Sequence, residues 1–184
     1  AGAFVPTQIV RRPIAFADLP DELHGLKILQ VTDLHLGAFH GPSAIPGLVE
    51  RAADEEPDLV VFTGDICDYL PWLEEALLRF QELSPRFGSF AVLGNHEHYR
   101  GKSANLRIYD RAKIPMLLDG HAVLSVRGRR LLLTGVDDPV GWSRSRDHYE
   151  RHADLALGGA PSDADFNLAL CHRPSGFRDR KSVV

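Results

Sequence analysis

The chain is poor in cysteine, carries no long apolar run and has no block of like charge. Each shortage closes off a class of protein. Cys67 and Cys171 are the only two cysteines among 184 residues, too few and too far apart for a disulfide framework, so the fold must rest on an apolar core. Each ends an apolar run and is read as a buried free thiol. No stretch approaches the roughly 18 apolar residues that a membrane span needs. The 21 Lys and Arg against 25 Asp and Glu leave a net charge of −4, which argues against a basic nucleic-acid surface. There is no internal repeat, low-complexity tract or linker, so a single domain over 1–184 is expected, with 1–26 as an N-terminal lead-in. A domain of this length buries about 70% of the surface its unfolded chain exposes, enough for a substantial core.

Arg11-Arg12 is a twin arginine with no apolar run behind it, so no secretion signal is read there. The chain opens on Ala1 rather than Met. A cytoplasmic or membrane-peripheral location is expected, with export by a removed N-terminal segment as the alternative.

What the chain does have is histidine: nine of them, several beside Asp, Asn or Glu. Their placement follows a strand-and-helix rhythm. Lys27 to Thr32, Asp58 to Thr63 and Ser89 to Leu93 are short apolar runs closed by Asp or Gly, the pattern of strands buried on both faces. Ile45, Leu48, Val49, Ala52 and Ala53 recur at helical spacing between them, as do Leu73, Ala76, Leu77, Phe80 and Leu83. Alternating strands and helices predict a mainly parallel sheet. After a helix near 103–113, the runs 115–118, 121–126 and 130–136 predict a second sheet with antiparallel pairing and a turn at Gly128. A helix at 147–157 and a buried strand at 166–171 complete the reading.

Open α/β folds place their sites at the carboxyl ends of parallel strands. Here those ends carry Asp33-Leu34-His35, Gly64-Asp65-Ile66-Cys67-Asp68, Gly94-Asn95-His96-Glu97 and His172. The mixed oxygen and nitrogen donors suit a hard-to-borderline divalent metal rather than a thiolate zinc site. Any one block has an innocent explanation as a turn, a cap or a surface histidine. Their joint occurrence, in order and each at a strand end, carries the weight. His24, His40, His121, His148 and His152 lack such a setting and are read as incidental. His98 is read as a solvated side chain beside Tyr99, Glu97 as a support for its loop, and Trp72 as packing.

Together with Gly135-Val136-Asp137-Asp138-Pro139 and Leu170-Cys171-His172-Arg173-Pro174, these blocks resemble the calcineurin-like metallophosphoesterase family, in particular its bacterial branch of small phosphohydrolases. The resemblance runs from about Lys27 to Phe177. It implies an αββα sandwich of two sheets flanked by helices, with a two-metal centre (Mn, Fe or Zn) at the strand ends. Transferred block by block, Asp33 and His35 hold the first metal, Asp65 bridges both, and Asn95 and His172 serve the second. His96 stabilises or protonates the reacting phosphate with Asp68 orienting it, and the attacking group is a hydroxide held between the metals. The implied partner is a phosphorylated small molecule or a lipid-linked phosphate.

The resemblance also implies a further strand and a Gly-His-x-His block after His172, giving one more histidine to each metal, and the sequence to Val184 contains neither. The expectation is therefore a C-terminally truncated sandwich that lacks its last strands, with incomplete metal occupancy and an uncovered sheet edge that invites self-association. A catalytically silent metal-binding or interaction domain is the alternative to a phosphohydrolase.

Overall fold

The computed structural model describes residues 8–139 and 146–173. Three strands, β1 (Ile28–Val31), β2 (Leu59–Thr63) and β3 (Ser89–Val92), pair in parallel in the order β1-β2-β3. The central strand β2 is buried at all five positions, as its unbroken apolar run predicts. Its residues alternate between two apolar clusters. Val60 and Phe62 face α1 (Ile45–Ala53) and α2 (Leu73–Gln81), joined there by Ile108, Tyr109 and Ala112. Leu59 and Val61 face the other way, into a layer shared with Phe90, Val92, Leu117, Leu133 and Leu170.

That second layer is the interior of a sandwich. Strands β4 (Gly120–Val126) and β5 (Arg129–Gly135) form an antiparallel hairpin, with Val126 opposite Arg129. Arg127 and Gly128 both have positive φ (50° and 88°), the two-residue turn whose twist matches its strands. The last strand, β6 (Phe166–Leu170), runs parallel to β5, so this sheet is mixed rather than purely antiparallel. Between β5 and β6 lies α5 (Arg146–Leu157), which packs on β4 and β5 and buries Ala156. The result is the expected two-sheet sandwich with helices outside.

Two local expectations change. The run 115–118 does not join the second sheet: Pro115 accepts from the Ala91 N–H and Leu117 donates back to Ala91, giving a single parallel bridge beside β3. The Asn95 block does not simply end a strand either. It coils at once into a short helix, α3 (Asn95–Tyr99), followed by α4 (Lys102–Arg111). The lead-in segment is partly built into the fold, since Leu23 is buried with Val126 and Leu131 at one end of the sandwich, flanked by Leu19 and Leu26. Among the described residues no helix is long and apolar enough to cross a membrane, and β6 pairs on its β5 side alone.

Candidate metal centre

The carboxyl ends of β1, β2, β3 and β6 meet. Backbone bonds join the first two loops, with Asp33 donating to Gly64 O, His35 to Asp65 O and Leu36 to Ile66 O. His172, just past β6, is tied to the first sheet by an Nδ1 contact of 2.9 Å to Thr63 O. With Nδ1 donating to that carbonyl, Nε2 is left to face inward.

The inward point is Asp65. Its Oδ2 lies 3.6 Å from His35 Nε2, 3.9 Å from His96 Nε2 and 3.4 Å from His172 Nε2. Asp33 Oδ1 is 3.9 Å from the same His35 nitrogen. Most of these separations exceed a hydrogen bond, whereas donors bound at about 2.0–2.2 Å to one ion lie roughly 3–4 Å apart. Asp33, His35 and Asp65 thus have the spacing of a metal-ligand group, and so do His35, Asp68 and His96. Asn95, half-buried, opens α3 beside Gly94, whose backbone lies against the Asp65 carboxylate.

Three of these side chains hang from left-handed backbone, at Asp33 (φ 53°), His35 (φ 45°) and Asp65 (φ 55°). Non-glycine residues seldom adopt this region, and Asp, Asn and His tolerate it best. The loop after β2 must also pass very close to the one after β3. A Cβ on Gly64 would lie 2.4 Å from the Gly94 nitrogen, and one on Gly94 only 2.2 Å from Asp65 Oδ1.

Glu97 locks this crossing. Fully buried, it accepts from the backbone N–H of Asp65 (2.8 Å), Ile66 (2.8 Å) and Gly94 (2.9 Å). It therefore supports the loop, as the sequence suggests, and does so for two loops together. The sequence signal is its place three residues after the helix-capping Gly94, where a Glu side chain reaches back to the cap.

Asp68 serves two histidines rather than one. Its Oδ1 is 2.5 Å from His96 Nδ1 and its Oδ2 is 2.9 Å from His35 Nδ1, while Arg100 Nε and a terminal nitrogen approach Oδ1 at 3.2 Å. Burial pushes the Asp68 carboxyl up, but the bonds from His96 and His35, with Arg100 beside them, hold it below the usual range. At Asp65 burial is likewise outweighed, there by His172 and by the His96 N–H. For His172 burial opposes the charged ring, yet the Asp65 carboxylate and the Thr63 carbonyl raise its pKa to about 9. Arg100 and the double duty of Asp68 have no sequence signal.

A second polar cluster adjoins the centre. His98 is not a solvated side chain: Nε2 lies 2.8 Å from Asp137 Oδ1, and Lys102 donates to Asp137 Oδ2 at 2.5 Å. Asp138 is buried, takes one bond from Arg173 and is pushed up by burial. His152 meets Asp119 at 2.6 Å, a carboxylate the sequence had not paired with it. His121 contacts Ala156 O through Nδ1. Both thiols are free, Cys67 buried and Cys171 half-buried, with burial raising each to about 11. Trp142, which by sequence could stack on a substrate ring, and the side chain of His148 lie outside the described residues.

The family model for calcineurin-like phosphoesterases matches residues 26–183. A transmembrane protein with a metallophosphoesterase domain from Danio rerio is 28% identical over 174 residues, covering 92% of this chain and 40% of that protein. An uncharacterized metallophosphoesterase of Helicobacter pylori is 29% identical over 175 residues, 95% of this chain and 45% of its own length. One from Aquifex aeolicus reaches 37% over 121 residues, 63% of this chain and 44% of its own. The chain spans less than half the length of each. With the match running from just before β1 to beyond His172, through every loop that brings a side chain to Asp65, the chain belongs to the calcineurin-like phosphoesterase family.

Proposed function

We propose that this chain is the catalytic domain of a dinuclear metal-dependent phosphohydrolase, cleaving a phosphoester or pyrophosphate bond in a phosphorylated small molecule. The observation that carries the reading is the convergence of three imidazole Nε2 atoms on Asp65 Oδ2. Asp33 and His35 would hold one ion, Asn95 and His172 the other, and Asp65 would lie against both. Such a donor set of carboxylates, imidazoles and one amide suits Mn, Fe or Zn. When bound, a pair of divalent ions supplies Lewis acidity and brings the pKa of coordinated water towards about 7.

The protein's part is orientation. Asp68 fixes the Nδ1 side of both His35 and His96, so each presents Nε2 to the same point. Held there, His96 can stabilise phosphoryl oxygens or donate an Nε2 proton to the departing oxygen. Glu97 holds the Asp65 and Gly94 backbones in register, and Thr63 fixes the ring of His172.

Hydrolysis of 4-nitrophenyl phosphate by the manganese-supplemented chain tests the reading. Activity should disappear on chelation, return with metal, and be lost in Asp65→Ala. Undiminished activity in Asp65→Ala refutes it.

A further inference from the structure

Large aromatic side chains exposed together beside a site mark a ligand surface, whereas one exposed alone needs no explanation. Among the described residues four are exposed: Phe16, Phe39, Tyr69 and Tyr99. Phe16 rests on Phe166, far from the metal centre in the fold. The other three sit in the segments that follow β1, β2 and β3 and carry Asp33, Asp65 and His96, Tyr99 closing α3.

Two of them touch the site histidines. The Phe39 ring lies 5.4 Å from that of His35, nearly perpendicular, and the Tyr99 ring lies 6.0 Å from that of His96. His35 and His96 are themselves in edge contact at 4.5 Å. A connected chain of four rings thus crosses the site, with the two histidines inside and the two most exposed aromatic rings, Phe39 (70%) and Tyr99 (66%), at its ends. Neither outer ring belongs to an apolar cluster of the fold. Both outer rings instead flank the site histidines.

We infer that Phe39 and Tyr99 form a specificity surface for a substrate whose leaving group presents an apolar, ring-sized face. The inference rests on the phosphohydrolase reading for the word "leaving group". If His96 faces the departing oxygen, the group attached to that oxygen extends over the rings that flank His96 and His35. Aromatic pairs prefer the edge and offset contacts that such rings offer, whereas a glycerol-like leaving group presents no ring-sized apolar face to them.

Equilibrium binding of hydrolysis-inert phosphonates to the manganese-loaded chain, followed by calorimetry, separates this from the function itself. Phenylphosphonate should bind about tenfold more tightly than methylphosphonate. Phe39→Ala and Tyr99→Ala should each reduce that ratio at least threefold, the double variant should bring it near one, and Tyr99→Phe should retain it. Octylphosphonate binding as tightly as phenylphosphonate, with the same losses, overturns the inferred ring in favour of an alkyl chain. Equal affinity for phenyl and methyl, a preference that survives the double variant, or no binding of any phosphonate overturns the inference. A preserved preference in a chain that never turns over phenyl phosphate overturns the hydrolase reading alone.

Discussion

Replacing Glu97 by Gln tests the idea that one buried carboxylate holds two site loops together. Three backbone N–H groups, from Asp65, Ile66 and Gly94, end on its two oxygens inside the protein. An amide keeps one oxygen. Placed to accept from Asp65 and Gly94, it turns its NH2 towards the Ile66 N–H, donor against donor. Losing one charge-assisted bond costs about 1.5–3 kcal/mol, and making the other two neutral removes about 0.5–1 kcal/mol each. The total is about 2.5–5 kcal/mol, at or below the low end of the roughly 5–15 kcal/mol of a typical domain, so Glu97→Gln should still fold. At about 2–4 °C per kcal/mol for a chain of this size, its Tm should fall by about 10 °C. Calorimetry reads that fall, and manganese titration should show affinity weakened about tenfold because Asp65 loses its anchor. A Tm within about 2 °C of wild type, with unchanged metal affinity, would mean that water or a loop shift satisfies these groups, and the reasoning would fail.

Three further outcomes follow from the same geometry. Asp68→Asn should lower kcat about 10- to 100-fold while sparing the fold, because the amide keeps one oxygen and so turns an NH2 towards either His35 or His96, which loses the acceptor that orients it; wild-type kcat would count against Asp68 as the positioning group. Gly94→Ala should weaken manganese binding at least tenfold, since its Cβ would meet Asp65 Oδ1 at 2.2 Å, and unaltered binding by calorimetry would contradict that close approach. In the metal-free protein, His172 has a folded pKa of about 9 against an ordinary 6.5. Its protonated form therefore stabilises the fold fully below about pH 6.5, and the contribution fades as pH rises through 9. The Tm of the chelator-treated protein should fall over that window and do so less in Asp65→Asn; a flat profile in the wild type would show that His172 gains nothing from Asp65.

Much of this was legible in the sequence because local patterns determine it. The run Leu59 to Thr63 is apolar at every position but the last, and the strand is buried on both faces. The helical spacing from Leu73 to Phe80 matches the face that α2 buries. Asp33, His35, Asp65, His96 and His172 gather because parallel strands end at one level. Other features depend on contacts that no local pattern encodes. Met116 bridges to Ala91 across 25 positions by two backbone bonds, which hydrophobic periodicity cannot assign to either sheet. His98 reads as a surface residue until Asp137 arrives from beyond β5. Asp68 pairs with its expected partner His96, but its second bond, to His35, arises only when the β1 loop folds over the β2 loop.

The left-handed backbone at Asp33, His35 and Asp65 narrows the alphabet from which this site can be written. Ligand exchange is usually judged by whether a new side chain can reach and bind the ion. Here the main chain votes as well, favouring Asp, Asn, His and Gly and disfavouring β-branched or bulky replacements. A programme that retunes metal preference by swapping donors therefore has few admissible letters at these three positions. Of the proposed ligands, Asn95 and His172 lack that backbone constraint, and new donor chemistry can enter there without a left-handed residue.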